Sequence, residues 1–325
     1  MRRHGAAATE RELLGYILFN KKTGTLELAN FKAQLATQNL HLGVSTKRRN
    51  EMAAGYHGEG FKLAALVLCR NRHQVRYASS SYYWNFSFSG TYQSNLYYRL
   101  SPAKTEKVER DKAKYLEKVA ASIPRCLESN IWEDVSVTIG KGRRELSRKV
   151  ETEEFKSWTT VTLDLNGPSP SDIVQTSNGD LILAKSFAGK IYLKGLLLCD
   201  TSTDLDPFIF GYNFLRGHVD RDRKYLIDSS EKEEIIMGIW KIAIEQHGND
   251  LIGTFVRLLQ EHPTSADVRF TQNKLTSSIA MTIWQFLVSS ANGGFYYNEK
   301  QGNKVVFHLH RTDCRVKTNV GHTGQ

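Results

Sequence analysis

Ala54-Gly55-Tyr56-His57-Gly58-Glu59-Gly60-Phe61-Lys62 runs directly into Leu63-Ala64-Ala65-Leu66-Val67-Leu68-Cys69-Arg70. Three glycines spaced by three and two residues thus precede an apolar segment with helical character. Glycine accepts positive φ and lets a ligand or a second backbone come close. A helix that starts from such a loop turns unpaired N–H groups and the positive end of its dipole outward, which suits an anion such as phosphate. Lys62 adds a mobile cation at the same place. Between Phe61 and Cys69 only Lys62 is polar, so the pattern predicts a helix buried nearly all round. A tight turn closing a helix onto a sheet explains the glycines equally well. The spacing is neither that of a P-loop nor that of a Rossmann fingerprint, since no βαβ unit surrounds it.

Just upstream, Leu42-Gly43-Val44-Ser45-Thr46-Lys47-Arg48-Arg49 brings hydroxyls and cations close to the glycines. An exposed basic loop is the plainer reading of that segment. Glu59 is the carboxylate placed where chemistry would occur, and it also fits a solvent-facing filler between two glycines.

Before this centre, Leu14 to Phe19 and Thr25 to Asn30 read as strands around a turn at Asn20 to Gly24, and Phe31 to Leu40 as a short helix. After it, Val75 and Tyr77 alternate, as do Tyr82, Trp84, Phe86 and Phe88, and again Leu96, Tyr98 and Leu100. The gaps are too short for helical crossovers, so an antiparallel meander is expected. Sheet packing explains the aromatic stripe more simply than a base-stacking platform does. Lys104 to Glu128 is amphipathic, with Leu116, Val119, Ala120 and Ile123 on one face. Val135 to Ile139 and Val161 to Leu165 alternate as strands, with a short helical turn from Glu153 to Trp158 between them. Gly167-Pro168-Ser169-Pro170-Ser171 punctuates the chain.

Beyond it, Asn178-Gly179 signals a hairpin. Ile191 to Leu198 reads as one long strand and Phe208 to Asn213 as another. Asp220-Arg221-Asp222-Arg223 fits either a solvated surface or an internal ionic network. Ser230-Glu231-Lys232-Glu233 opens a helix to His247 with Ile235, Ile239 and Ile242 inward, stopped by Gly248. Helices over 251–261 and 275–290 follow, then a hairpin of 295–297 with 305–310 and a tail. The resulting division is 1–166, 172–230, 231–310 and 311–325.

The composition of the 325 residues, 40% hydrophobic and 24% charged, is that of a folded globular protein. No apolar run is long enough for a membrane span or a signal peptide. The four cysteines (Cys69, Cys126, Cys199, Cys314) form no CxxC pair, which argues against a zinc ribbon or disulfide scaffold and fits a reducing compartment, cytoplasmic or nuclear. His308, His310 and Cys314 lack a fourth metal ligand at a usual spacing, so no metal site is expected. No GxSxG elbow is present. The net charge of +10 permits association with nucleic acid or an acidic partner, and a solvated basic surface explains it more simply.

Gly55 to Arg70, read as Gly-x-x-Gly-x-Gly-x-Lys before an apolar helix, resembles the second glycine box of the GHKL ATPases. This is the superfamily of gyrase, heat-shock chaperone, histidine kinase and MutL proteins with the Bergerat fold. The likeness is strongest to the branch with MORC proteins and type IIB topoisomerases, where a Leu-Gly-x-Ser-x-Lys segment resembles Leu42 to Lys47. Lys190-Ile191-Tyr192-Leu193-Lys194-Gly195, Phe210-Gly211-Tyr212-Asn213 and Asp220 to Arg223 are similar to phage rIIA-like proteins and fungal relatives of this class.

The resemblance implies an α/β (α+β) two-layer sandwich: a Bergerat-type mixed sheet with helices on one face, a transducer-like α+β subdomain and C-terminal helices. It implies ATP as ligand, with Gly55, Gly58 and Gly60 shaping the lid and phosphate loop and Lys62 near the phosphates. Ser45 and Lys47 would reach the nucleotide from the lid side. Two motifs of the family are missing. Residues 1–30 contain no Glu-x-x-x-Asn, whose Glu activates water and whose Asn holds magnesium. Phe19-Asn20-Lys21-Lys22-Thr23-Gly24 stands where Asp-x-Gly-x-Gly belongs. Phosphoryl transfer to water depends on a positioned metal and base. The expectation is a shortened or degenerate member that binds nucleotide weakly, without a magnesium ligand, and hydrolyses it poorly, if at all. The alternative is a non-catalytic interaction module that meets nucleic acid or an acidic partner through its basic surface.

Overall fold

The computed structural model describes residues 13–40, 60–89, 95–141, 147–201, 205–217, 219, 229–272, 276–290, 295–298 and 314–317. The chain is α+β, with helices laid on sheets, and divides into two compact units, Met1–Thr159 and Thr160–Gln325. The division precedes the Gly167 to Ser171 segment.

In the first unit the strands are β1 (Gly15–Asn20) and β2 (Thr25–Asn30), then α1 (Gly60–Arg70), β3 (Gln74–Ser79), β4 (Tyr82–Ser89) and β5 (Asn95–Pro102). They are followed by α2 (Thr105–Ala120), β6 (Val135–Gly140) and α3 (Thr152–Thr159). The sheet order is β1-β2-β6-β3-β4-β5, and every described pair is antiparallel. The meander β3–β4–β5 is the one that the alternation predicts. Alternate residues Val75, Tyr77, Trp84 and Phe86 are buried and pack with Ala65, Phe61, Leu68 and Cys69 of α1. Each such side chain taken from water contributes about 1.5–3 kcal/mol.

Three expectations for this unit change. The helix expected over 31–40 reduces to a 3-10 turn, Thr37–Leu40. Helix α1 is not buried all round: Ala65 is its one buried residue, while Leu63 and Val67 remain 47% and 53% exposed. A helix lying on one sheet covers only the stripe facing the strands, whatever its outer residues are. Likewise α2 is helical as expected, but Leu116 and Val119, and Ile123 just beyond it, stay exposed, and Val108 is the buried residue of α2.

The second unit begins with α4 (Leu163–Asn166), where alternation suggested a strand. Thr162 makes a single bridge to Leu196, and then its hydroxyl accepts from the N–H of Leu165 and caps a turn. Strands β7 (Ile173–Gln175), β8 (Gly179–Ile182), β9 (Lys190–Leu193), β10 (Leu196–Asp200) and β11 (Gly211–Phe214) follow. Their order is β10-β9-β11-β8-β7, with β11 parallel to β9 and the other pairs antiparallel. The expected long strand over 191–198 is a hairpin, because Lys194 (φ 54°) and Gly195 (φ 79°) form its turn. Two consecutive left-handed residues are the requirement of a type I′ connection.

Four helices complete this unit among the described residues: α5 (Ser229–His247), α6 (Asn249–Glu261), α7 (Ala266–Gln272) and α8 (Ser277–Ser290). Gly248, at φ 56°, ends α5 as expected. Ile235 and Ile239 point inward, but Trp240, Ala243 and Ile244 fill the core where Ile242 was expected. They pack with Leu181, Ile191, Tyr212 and Phe214 of the sheet and with Phe255 of α6 and Ile279 and Ile283 of α8. Segment α7 was not foreseen, since it is too short for a periodic signal. Strand β12 (Phe295–Asn298) pairs with β13 (Cys314–Lys317); residues 305–310, the expected hairpin partner, lie outside the described residues. Part of the presumed tail is therefore a strand. Among the described residues no helix is long and apolar enough to cross a membrane.

Candidate functional site

Helix α1 begins at Gly60, where the glycine-rich stretch meets the apolar run. Its first turn contains no acidic residue, although Glu59 stands immediately before it in the sequence. Among the described residues, a side chain built at Gly60 would meet nothing within 4 Å. Packing against the described residues therefore does not require glycine there; residues 41–59 lie outside them. Lys62 is half-buried in the same turn, with Nζ 5.7 Å from the ring centroid of Phe61.

The helix start rests on aromatic residues of the sheet. Phe61 meets Tyr77 edge-on at 5.9 Å, and Tyr77 meets Phe86 at 5.6 Å. The hydroxyl of Tyr77 donates to the carbonyl of Phe61 at 3.4 Å. Burial, with a smaller contribution from Cys69, pushes Tyr77 up to about 12. It stays a neutral hydrogen-bond donor and is no proton carrier at ordinary pH.

The structure thus brings Gly60 and Lys62 together at one helix end. Gly55, Gly58, Ser45, Lys47 and Glu59 lie outside the described residues, as do Asp220 to Arg223, His308 and His310. Of Cys314 only the backbone is described. Among the described residues no three His, Cys, Asp or Glu side chains gather as a metal cluster.

Sequence reading missed two ionic groups of the first unit. His73 is buried, with Nε2 3.1 Å from Oε1 of Glu154 and Nδ1 3.4 Å from the carbonyl of Arg148. Arg148 also pairs with Glu154, and its Nε lies 3.2 Å from His73 Nε2. Burial pushes Glu154 up, but the His73 hydrogen bond and charge, helped by the Glu151 amide and Arg148, more than offset this and leave it below the usual carboxylate value. The imidazole side chain has no exposed surface, so no substrate reaches it, and the group ties α3 to the turn after α1. In the second group, buried Asp134 accepts from the amides of Lys32 at 2.9 Å and Asn130 at 2.6 Å and pairs with Arg125. Arg125 in turn lies over Phe31 at 3.6 Å. The partners of His73 and Asp134 include residues 75 to 102 positions away, a separation that leaves no local signal.

A cavity of about 280 Å³ opens at the end of α2, lined by Tyr115, Val119, Ile123, Arg125, Cys126 and Glu128 among others. It shares no lining residue with the start of α1. Compared with models of known protein families and with curated proteins, the chain matches none.

Proposed function

We propose that the first unit is a GHKL-type nucleotide-binding domain that holds ATP by its phosphates at the start of α1 and hydrolyses it slowly or not at all. One observation carries this reading: room beside Gly60 among the described residues, Lys62 in the same turn and no carboxylate in that turn, directly after a glycine-rich stretch. Helix-start amides and an ammonium group are a suitable receptor for phosphate oxygens. Residues 1–30 hold no counterpart of the family's magnesium ligand and water-activating base, so the reading rests on nucleotide binding and not on turnover. Such a protein works inside the cell, through nucleotide-dependent contact with a partner.

Calorimetric titration with ATP and a non-hydrolysable analogue, with and without magnesium, tests the reading. Wild type binds both, and Lys62→Ala combined with Gly58→Ala weakens both. Absence of binding to wild type, or unchanged binding by the double variant, sinks it. Phosphate release by wild type that Glu59→Gln abolishes would replace it with an active ATPase.

A different observation favours a second reading. On the sheet face away from α1, Glu27, Thr138, Arg76, Asn85 and Arg99 stand opposite one another across five strands. Arg76 lies over Tyr83 at 4.0 Å. One arginine over an aromatic ring and a second arginine in the same cross-strand row suit an acidic partner or nucleic acid. Retention of DNA or RNA that falls steeply with added salt, and that Arg76→Ala with Arg99→Ala removes, is the outcome this reading requires.

A further inference from the structure

Strand β1 ends the sheet order of the first unit. The amide of Phe31 donates to the carbonyl of Leu14 at 2.9 Å, which fixes the antiparallel alternation along β1. Leu14, Tyr16, Leu18 and Asn20 therefore direct their backbone groups to β2. Gly15, Ile17 and Phe19 direct theirs outward, where no described strand meets them.

Exposed edges are usually blunted by charge, proline, a bulge or a cover. Strand β1 has none of the first three: Leu13 to Asn20 carries no charge and no proline, and its register with β2 is regular. The opposite edge, β5, carries Arg99 and ends on Pro102. Apolar side chains on both faces of the β1 edge are open to water, with Leu14 at 56%, Ile17 at 42% and Leu18 at 45% exposure.

We propose that this edge pairs with the same edge of a second copy of the chain, antiparallel and centred on Ile17. The strip is self-complementary in that register. Ile17 faces Ile17, Tyr16 faces Leu18, Gly15 faces Phe19 and Leu14 faces Asn20, so no like charges meet. A chain of net charge +10 repels its own copies over most of its surface. An uncharged strip of paired backbone groups is where two copies meet at least cost. The contact is two-fold and isologous, so it closes at the dimer.

Sedimentation equilibrium on the full chain reads the dimer. Ile17→Lys and Ile17→Glu each place two like charges face to face on the two-fold axis and weaken the dimer on the order of 100-fold or more. Mixing the two variants restores association as a heterodimer. Far-UV circular dichroism checks that each variant folds. Should a charged variant unfold, Ile17→Cys decides: directly opposed Cα atoms about 5.5 Å apart are within disulfide reach. Mild oxidation then gives a covalent dimer that reductant dissolves, while Leu63→Cys does not. A monomeric wild type, a dimer that survives both charged substitutions, or failure of Ile17→Cys to cross-link overturns the proposal.

Discussion

The hydroxyl of Tyr212 on β11 donates to Oδ1 of Asp267 on α7 at 2.5 Å, and neither residue has any exposed surface. Oδ2 of Asp267 accepts from the amide of Ile209 at 2.6 Å, and Trp240 of α5 donates to the Tyr212 oxygen at 2.9 Å. A short helix without a sequence signal is thereby fixed to the sheet and to α5 by one buried polar chain. Burial pushes Asp267 up to about 6, although its donors act the other way, and it pushes Tyr212 well above its ordinary value.

Stability of the second unit therefore depends on pH in a definite direction. The unfolded carboxyl releases its proton near 3.8, the folded one near 6. Between these values the folded state holds more protons, so its stability falls as pH rises, by about 3 kcal/mol once pH exceeds the folded value. Asp267→Asn removes this component but leaves one donor facing an amide N–H, a cost of about 1–3 kcal/mol. Urea unfolding from about pH 4 to pH 7 should show the variant well below wild type at the acid end and converging on it toward neutrality. Parallel curves would contradict the assignment.

Glu154 acts in the opposite sense. Its folded pKa lies below the usual carboxylate value, so its contribution is present at neutral pH and is lost as pH falls through the folded value. Glu154→Gln should lower the melting temperature of the first unit at neutral pH and leave it closer to wild type in acid. An equal deficit at every pH would mean that the His73–Glu154–Arg148 group contributes packing alone.

The two hairpins of the second sheet show what the sequence made legible. Asn178-Gly179 correctly marked a hairpin, but the turn residues are Ser177 and Asn178. Thr176 and Gly179 close it by mutual backbone bonds, and Gly179 opens β8. Glycine is needed there because a side chain would come 2.5 Å from the carbonyl of Asn213, a neighbour that only the tertiary fold brings in. The type I′ turn sits instead at Lys194-Gly195, inside an apolar run that periodicity reads as one strand. Element types with strong period, such as β3, β4, α2 and α5, were legible for the same reason that burial was not. Leu63, Val67 and Leu116 are apolar, yet which helix face meets the sheet depends on residues far along the chain. At the candidate site the pairing of Gly60 with Lys62 follows from adjacency. The His73 and Asp134 groups draw on distant segments and left no mark.

Gly195→Ala tests the turn assignment. At φ 79° alanine incurs about 1–2 kcal/mol of backbone strain, while the nearest described atom, Oδ2 of Asp164, is 4.0 Å from the added methyl group. The loss should appear as a lower urea midpoint with unchanged slope. An unaltered midpoint would place the turn elsewhere.

Gly60→Ala separates the functional role of the α1 start from its structural one. With no left-handed φ and no described atom within 4 Å of the added methyl, alanine suits this position better than glycine does. Lower entropy of the unfolded chain and higher helix propensity should stabilise the first unit by about 0.4–1 kcal/mol. If a phosphate group approaches the helix start through that space, the same methyl obstructs it. Affinity for the ATP analogue should then fall while the melting temperature rises. Lys62→Ala should lower affinity as well, through loss of an ammonium group, and the salt dependence of binding should flatten only for that variant. A Gly60→Ala protein that is stabilised and still binds the analogue as tightly as wild type would show that the glycine serves a turn and that the space beside it receives no ligand.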